Sequence, residues 1–139
     1  MKPIFLVAIA LVAAPISASA DTITLPPGLW NYDGTATLGL AELRESGEEC
    51  MQAGQSTYDL NKVARSIAPG CELAAATSTG DGVTFSIACT GDVKGELEGE
   101  FSFTQDAAAL EAMGWTGTPD ARVPLEVTAT ATRVAETCQ

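Results

Sequence analysis

Few residues in this chain can do chemistry, and nearly all of those are carboxylates. Histidine is absent, which removes Ser-His-Asp and Cys-His arrangements together with the commonest general base. No glycine-rich phosphate loop, HExxH pair or EF-hand loop occurs. Glu45, Glu48 and Glu49 cluster ahead of Cys50, while Glu96, Glu98 and Glu100 alternate along one stretch. Paired carboxylates are the groups of glycoside hydrolysis and of hard-cation binding. Alternating glutamates are also what the solvated face of a strand looks like, and they discourage pairing at a sheet edge. The solvated-face reading is favoured here. No catalytic residue, metal ligand or cofactor is expected.

The cysteines are Cys50, Cys71, Cys89 and Cys138. Zinc is a poor fit, because there is no CxxC pair and no histidine. An even count in an exported chain reads as two disulfides, and four cysteines allow three connectivities. Between Cys71 and Cys89 the sequence CELAAATSTGDGVTFSIAC is symmetric about a turn-rich centre, Ser78 to Gly82. As an antiparallel hairpin it sets Cys71 opposite Cys89, Leu73 opposite Ile87, Ala75 opposite Phe85 and Thr77 opposite Val83. Large apolar residues hold the odd positions and small or polar ones the even positions, the period of a strand with one buried face. That symmetry selects Cys71–Cys89 and leaves Cys50–Cys138 by elimination.

The compartment follows from the N-terminus. Lys2, an apolar run from Ile4 to Ala14 and the small residues Ala18-Ser19-Ala20 form a Sec-type signal peptide over residues 1–20. The run is too short to span a bilayer, so no membrane anchor is expected. No cysteine follows closely enough to carry a lipid. The mature chain, residues 21–139, suits a single domain in the periplasm. Eighteen acidic residues oppose seven basic ones for a net charge of −11, and loss of Lys2 takes the mature chain to −12. That charge argues against nucleic acid and anionic membrane as partners, whereas it permits a basic protein or cations.

The elements that must position these residues are mainly β. Asp21 to Leu25 is a short extended lead-in stopped by Pro26-Pro27-Gly28, and Leu29 to Leu38 is a strand that turns Trp30 into the core. Residues 40–51 read as a second antiparallel strand ending at Cys50. Leu60, Val63, Ala64 and Ile67 form a helical stripe over 57–67, capped by Ser56 or Thr57 and ended by Pro69-Gly70. Val93 to Thr104 is a strand whose inner face holds Val93, Gly95, Leu97, Gly99, Phe101 and Phe103. The two glycines either leave room there for a large neighbour such as Trp30 or allow a bend in the strand. Asp106 to Met113 reads as a short helix stopped by Gly114. Trp115 then lies in a loop, as a lid over the sheet or an exposed contact. Arg122 to Val134 is the last strand, with Pro124 marking an edge at its start. Six strands with one apolar face must curl or be covered. The expected fold is a strongly curved antiparallel sheet or partial barrel of about six strands, with one amphipathic helix packed on it.

Pro27-Gly28-Leu29-Trp30 after a signal peptide, a cysteine before a short helix, a two-cysteine hairpin and an Arg133-Val134…Cys138 ending occur here in order. Together they resemble a domain-of-unknown-function family of small proteobacterial periplasmic proteins that open on a PGLW-like motif. The family ends in Arg-Ile-Gly-x-Cys; this chain has alanine for that glycine and one extra residue. The resemblance implies export, a β-rich fold and no assigned activity, so it brings no catalytic residues. Three classes of function follow. The first is a non-enzymatic envelope module acting through protein contacts, such as an inhibitor of a basic hydrolase like lysozyme. The second is a carrier of a small apolar or lipid ligand in the hollow of the sheet. The third, a weak hydrolase, has the least support in the residue inventory. Trp30, Trp115, Gly95, Gly99 and Phe101 are the candidate ligand or partner contacts.

Overall fold

The computed structural model describes residues 21–54 and 57–138. The expected signal peptide at residues 1–20 and the expected cap residue Ser56 lie outside those residues. The elements run β1 (Thr22–Thr24), β2 (Gly28–Leu38), β3 (Ala41–Met51), β4 (Thr57–Asp59), α1 (Leu60–Ile67), β5 (Cys71–Thr79), β6 (Gly82–Thr90), β7 (Lys94–Phe103), β8 (Ala107–Thr118) and β9 (Ala121–Ala135). Seven strands form one antiparallel sheet in the order β3-β2-β9-β8-β7-β6-β5, and β1 pairs with β4 in a separate two-stranded sheet. The main sheet is curved but does not close, so β3 and β5 are its edges. The expected mainly-β fold with one amphipathic helix is present, with seven main strands rather than about six.

The registers divide the main sheet into two faces. Ala36, Val127, Ala112, Gly99, Phe85 and Ala76 form one cross-strand row on the inner face, from β2 to β5. Thr35, Thr128, Glu111, Glu100 and Thr84 form a neighbouring row on the outer face. The helix and the β1–β4 pair cover the inner face, where Ile23, Leu60, Ala64, Val83, Phe85, Ile87 and Ala112 are buried together. Trp30 is buried in a second cluster with Leu25 and Ala108.

Four local expectations are corrected. Asp106 to Met113 is not a helix: residues 107–118 form β8, between β7 and β9 and paired along its length with both. Alanine is the best helix former, but intrinsic propensity is a weak preference that two full ladders outweigh. Trp115 is accordingly in a strand, not a loop. In the Cys71–Cys89 hairpin the first two pairs are as expected, but an irregularity between Leu73 and Ala75 shifts the rest, so that Ala76 faces Phe85 and Ser78 faces Val83. The extra residue of such a bulge moves the later side chains to the other face.

The helix begins three residues later than expected. Its N-cap is Asp59, in extended conformation, with its carboxylate accepting from the Asn61 amide at 2.8 Å. Thr57 lies in β4 instead, its hydroxyl 3.0 Å from that of Thr24. Asp59→Ala is expected to cost about 1 kcal/mol in thermal denaturation. Thr57→Ala is expected to cost much less, and a reversed order would move the cap back to Thr57.

Pro124 lies in a central strand, yet its position follows an edge rule locally. Pairing of β9 with β2 ends at Leu125, and the Pro124 carbonyl accepts from Gly39, in the β2–β3 turn, at 2.9 Å. The missing N–H of Pro124 therefore faces past the end of β2.

The motifs at the two ends of the chain meet in space. The Trp30 indole donates to the Pro26 carbonyl at 3.0 Å, and Arg133 donates to the Pro27 carbonyl at 3.2 Å. The Arg133 guanidinium, almost fully buried, also lies 3.3 Å from Asp106 and 3.7 Å from Glu136. Gly28 has φ +142°, and a Cβ there would lie 2.4 Å from the Ala135 carbonyl, so only glycine fits. Leu29 pairs with Cys50, which is bonded to Cys138. The PGLW residues and the Arg…Cys ending are thus two halves of a structural clasp.

Candidate ligand cavity

A cavity of about 420 Å³ lies between the inner face of the main sheet and its cover. Its floor is Phe85 and Ile87 of β6, Leu97 and Phe101 of β7, Leu110 of β8 and Val127 of β9. Its roof is Ile23 and Leu25 beside β4's Tyr58, with Leu60, Val63 and Ile67 of α1. Leu60 is buried, whereas Val63 and Ile67, one helical turn apart, are 41% and 52% exposed. The cavity therefore opens beside the helix.

The sequence builds each wall differently. Alternation along β6 and β7 turns every second side chain to the floor. On α1 the i, i+3, i+7 spacing of Leu60, Val63 and Ile67 puts three aliphatic groups on one side. Gly99 shapes the floor indirectly, because a Cβ at this position would come within 2.6 Å of the Phe85 ring and 2.8 Å of the Ala112 Cβ. Its absence lets Phe85 lie across β7.

Tyr58 carries the one side-chain hydroxyl among the lining residues, and it donates to the Met51 sulfur at 3.0 Å. Burial, reinforced by the negative charge of Glu49, raises the Tyr58 pKa above the ordinary phenol value. The phenol is therefore neutral at physiological pH. The walls present no charge to an occupant, so binding here rests on the transfer of apolar surface from water.

Of the five contact residues expected from the sequence, Phe101 lines this cavity. Trp30 does not; it packs with Leu25, Ala108, Tyr58 and Phe103 in the neighbouring cluster. Gly95 and Gly99 do not make room for Trp30, since Gly95 lies against the backbone of Trp115 and Thr116, and Gly99 against Phe85 and Ala112. Trp115 is on the outer face, partly exposed, with the Arg122 guanidinium 4.4 Å above its ring. Its indole nitrogen is buried with no hydrogen-bond partner. The sequence reading missed the roof residues Ile23, Leu25 and Tyr58. Ile23 and Leu25 sit in what reads as a plain lead-in, although their spacing already marks one apolar face.

The carboxylates do not converge. Glu96, Glu98 and Glu100 are exposed on the outer face of β7, and Glu45, Glu48 and Glu49 are exposed along the edge strand β3. Among the described residues no three Cys, Asp or Glu side chains gather as a metal site would require. Cys50–Cys138 and Cys71–Cys89 are both disulfides, with Cα atoms 5.6 and 4.0 Å apart.

No curated protein and no solved structure matches the chain. One family model does, over residues 25–138, the span that runs from Leu25 at the clasp to Cys138. The chain belongs to the family described as a protein of unknown function, DUF3617.

Proposed function

We propose that the protein is an exported, non-catalytic binder that carries a small apolar ligand, of the size of a single alkyl or acyl chain, in the cavity under α1. The observation that carries this reading is the cavity itself: about 420 Å³, uncharged, and open beside Val63 and Ile67. That volume falls within the roughly 300–1,000 Å³ of small-molecule sites. Each methylene buried there contributes about 0.8 kcal/mol. A polar head group would stay at the mouth, since the lining offers it no free partner. Export is supported by the leader-like residues 1–20 and by two disulfides, which persist in oxidising compartments.

Binding of a fluorescent fatty acid tests the reading. Val127→Trp fills the floor and is expected to weaken binding by about tenfold or more, as a lost run of methylene contacts requires. Glu98→Gln, on the outer face, is expected to leave the affinity unchanged. If the wild-type protein does not bind, or the tryptophan variant folds and binds equally well, the cavity is not the site. The periplasmic fraction should contain a chain beginning at Asp21 and four hydrogens lighter than its fully reduced form.

A further inference from the structure

The β2–β3 turn is an apolar projection at one end of the sheet. Gly39 and Leu40 form a two-residue turn with Gly39 at φ +59°, pinned by the bond from Gly39 to the Pro124 carbonyl. Leu40 is fully exposed at its tip, Leu43 is 74% exposed, and Leu38 and Val123 are partly so. Val123 sits beside the turn, 3.2 Å from where a Cβ of Gly39 would be. Four aliphatic side chains gathered at and beside a pinned turn form the kind of exposed apolar patch that marks an interaction surface.

The sheet register connects that turn to the cavity. One inner-face row runs Leu43, Ala36, Val127, Ala112, and a second runs Leu38, Leu125, Gly114, Leu97. Val127, Ala112 and Leu97 are cavity walls. An apolar molecule can therefore pass along the inner face from turn to cavity without crossing a polar side chain of either row. The edge strand beside this track bears Glu42, Glu45, Glu48 and Glu49, against Arg44, which is paired with Asp33. Such an edge is repelled by anionic head groups but not by zwitterionic ones.

We propose that the β2–β3 turn docks on an electrically neutral lipid surface, and that the inner-face rows conduct an apolar chain between that surface and the cavity. The inference rests on the cavity reading and extends it to the source of the ligand. An aggregate of lipid chains is the partner that both an exposed leucine tip and a continuous apolar track suit.

The test uses the mature full chain, phosphatidylcholine vesicles and a fluorescent fatty acid. The wild-type protein is expected to float with the vesicles and to extract the probe from them. Leu40→Glu is expected to reduce vesicle binding and the extraction rate by about tenfold or more, because a leucine-sized apolar contact is lost. Affinity for the same probe delivered from solution is expected to be unchanged, since Leu40 does not line the cavity. Adding phosphatidylglycerol to the vesicles is expected to weaken docking; stronger docking would overturn the proposed neutral surface. Wild-type protein that takes the probe from solution yet ignores vesicles would overturn the docking and leave the cavity reading standing. Failure to bind the probe from either source would remove both. Unchanged extraction by Leu40→Glu, or conversion of a wild-type dimer to monomer, would overturn the docking role of the turn.

Discussion

Trp30→Ala is expected to lose about 3–5 kcal/mol of folding stability, the usual cost of truncating a buried aromatic to alanine. Three features put this site at that level. The side chain is 1% exposed and is the largest of the fully buried ones. It packs with Leu25, Ala108, Met51, Tyr58 and Phe103, so its removal opens space that β3, β4, β7 and β8 cannot all collapse to fill. Its indole also satisfies the Pro26 carbonyl, which would otherwise lose its donor. Trp30→Phe retains most of the volume and is expected to cost about 1–2 kcal/mol, largely through that lost hydrogen bond. Urea denaturation followed by the fluorescence of Trp115, the remaining tryptophan, measures both. A loss below about 1 kcal/mol for the alanine variant would show that the clasp is held elsewhere.

The second large effect belongs to the longer disulfide. Cys50 is the next-to-last residue of β3, an edge strand exposed along nearly its whole length and paired with β2 alone. Cys138 follows β9, so the bond fastens that edge to the clasp across 88 residues of sequence. Loop-closure entropy gives such a bridge about 4–5 kcal/mol, against about 3 kcal/mol for the 18-residue separation of Cys71 and Cys89. Replacing Cys50 and Cys138 together by serine is therefore expected to lower the denaturation midpoint further than the same change at Cys71 and Cys89. The contrary order would mean that the hairpin bridge, set among the buried side chains beneath α1, acts through packing more than through chain entropy.

The alternating stretches were legible from the residues alone. Glutamates and apolar residues exchange at every step along β7, and valine, leucine and alanine alternate with threonine along β9, so both strands and their inner faces could be read. The cysteine symmetry gave the right pairing, because the first two hairpin pairs precede the irregularity at Ala74. β8 was not legible as a strand. Ala107, Ala108 and Ala109 carry no apolar period, and alanine is as small on an outer face as on an inner one. What makes it a strand is pairing on both sides, which composition does not record. The cavity escaped for a related reason. Its roof joins Ile23, Tyr58 and Ile67, and only the docking of β1 against β4 brings these distant residues over one hollow. Trp30 and Trp115 drew attention as large aromatics, but one fills the clasp and the other lies on the outer face.

The placement of β9 between β2 and β8 sets a timetable for the chain. The strand nearest the N-terminus in the main sheet takes the last strand as its neighbour, with Trp30 opposite Arg133. Hairpins such as β5–β6 depend only on nearby sequence and can assemble as soon as they emerge. The large sheet cannot be completed until the final residues are available, and contacts of such long range make folding slow. For the export proposed above, that delay would keep the finished sheet from forming before translocation.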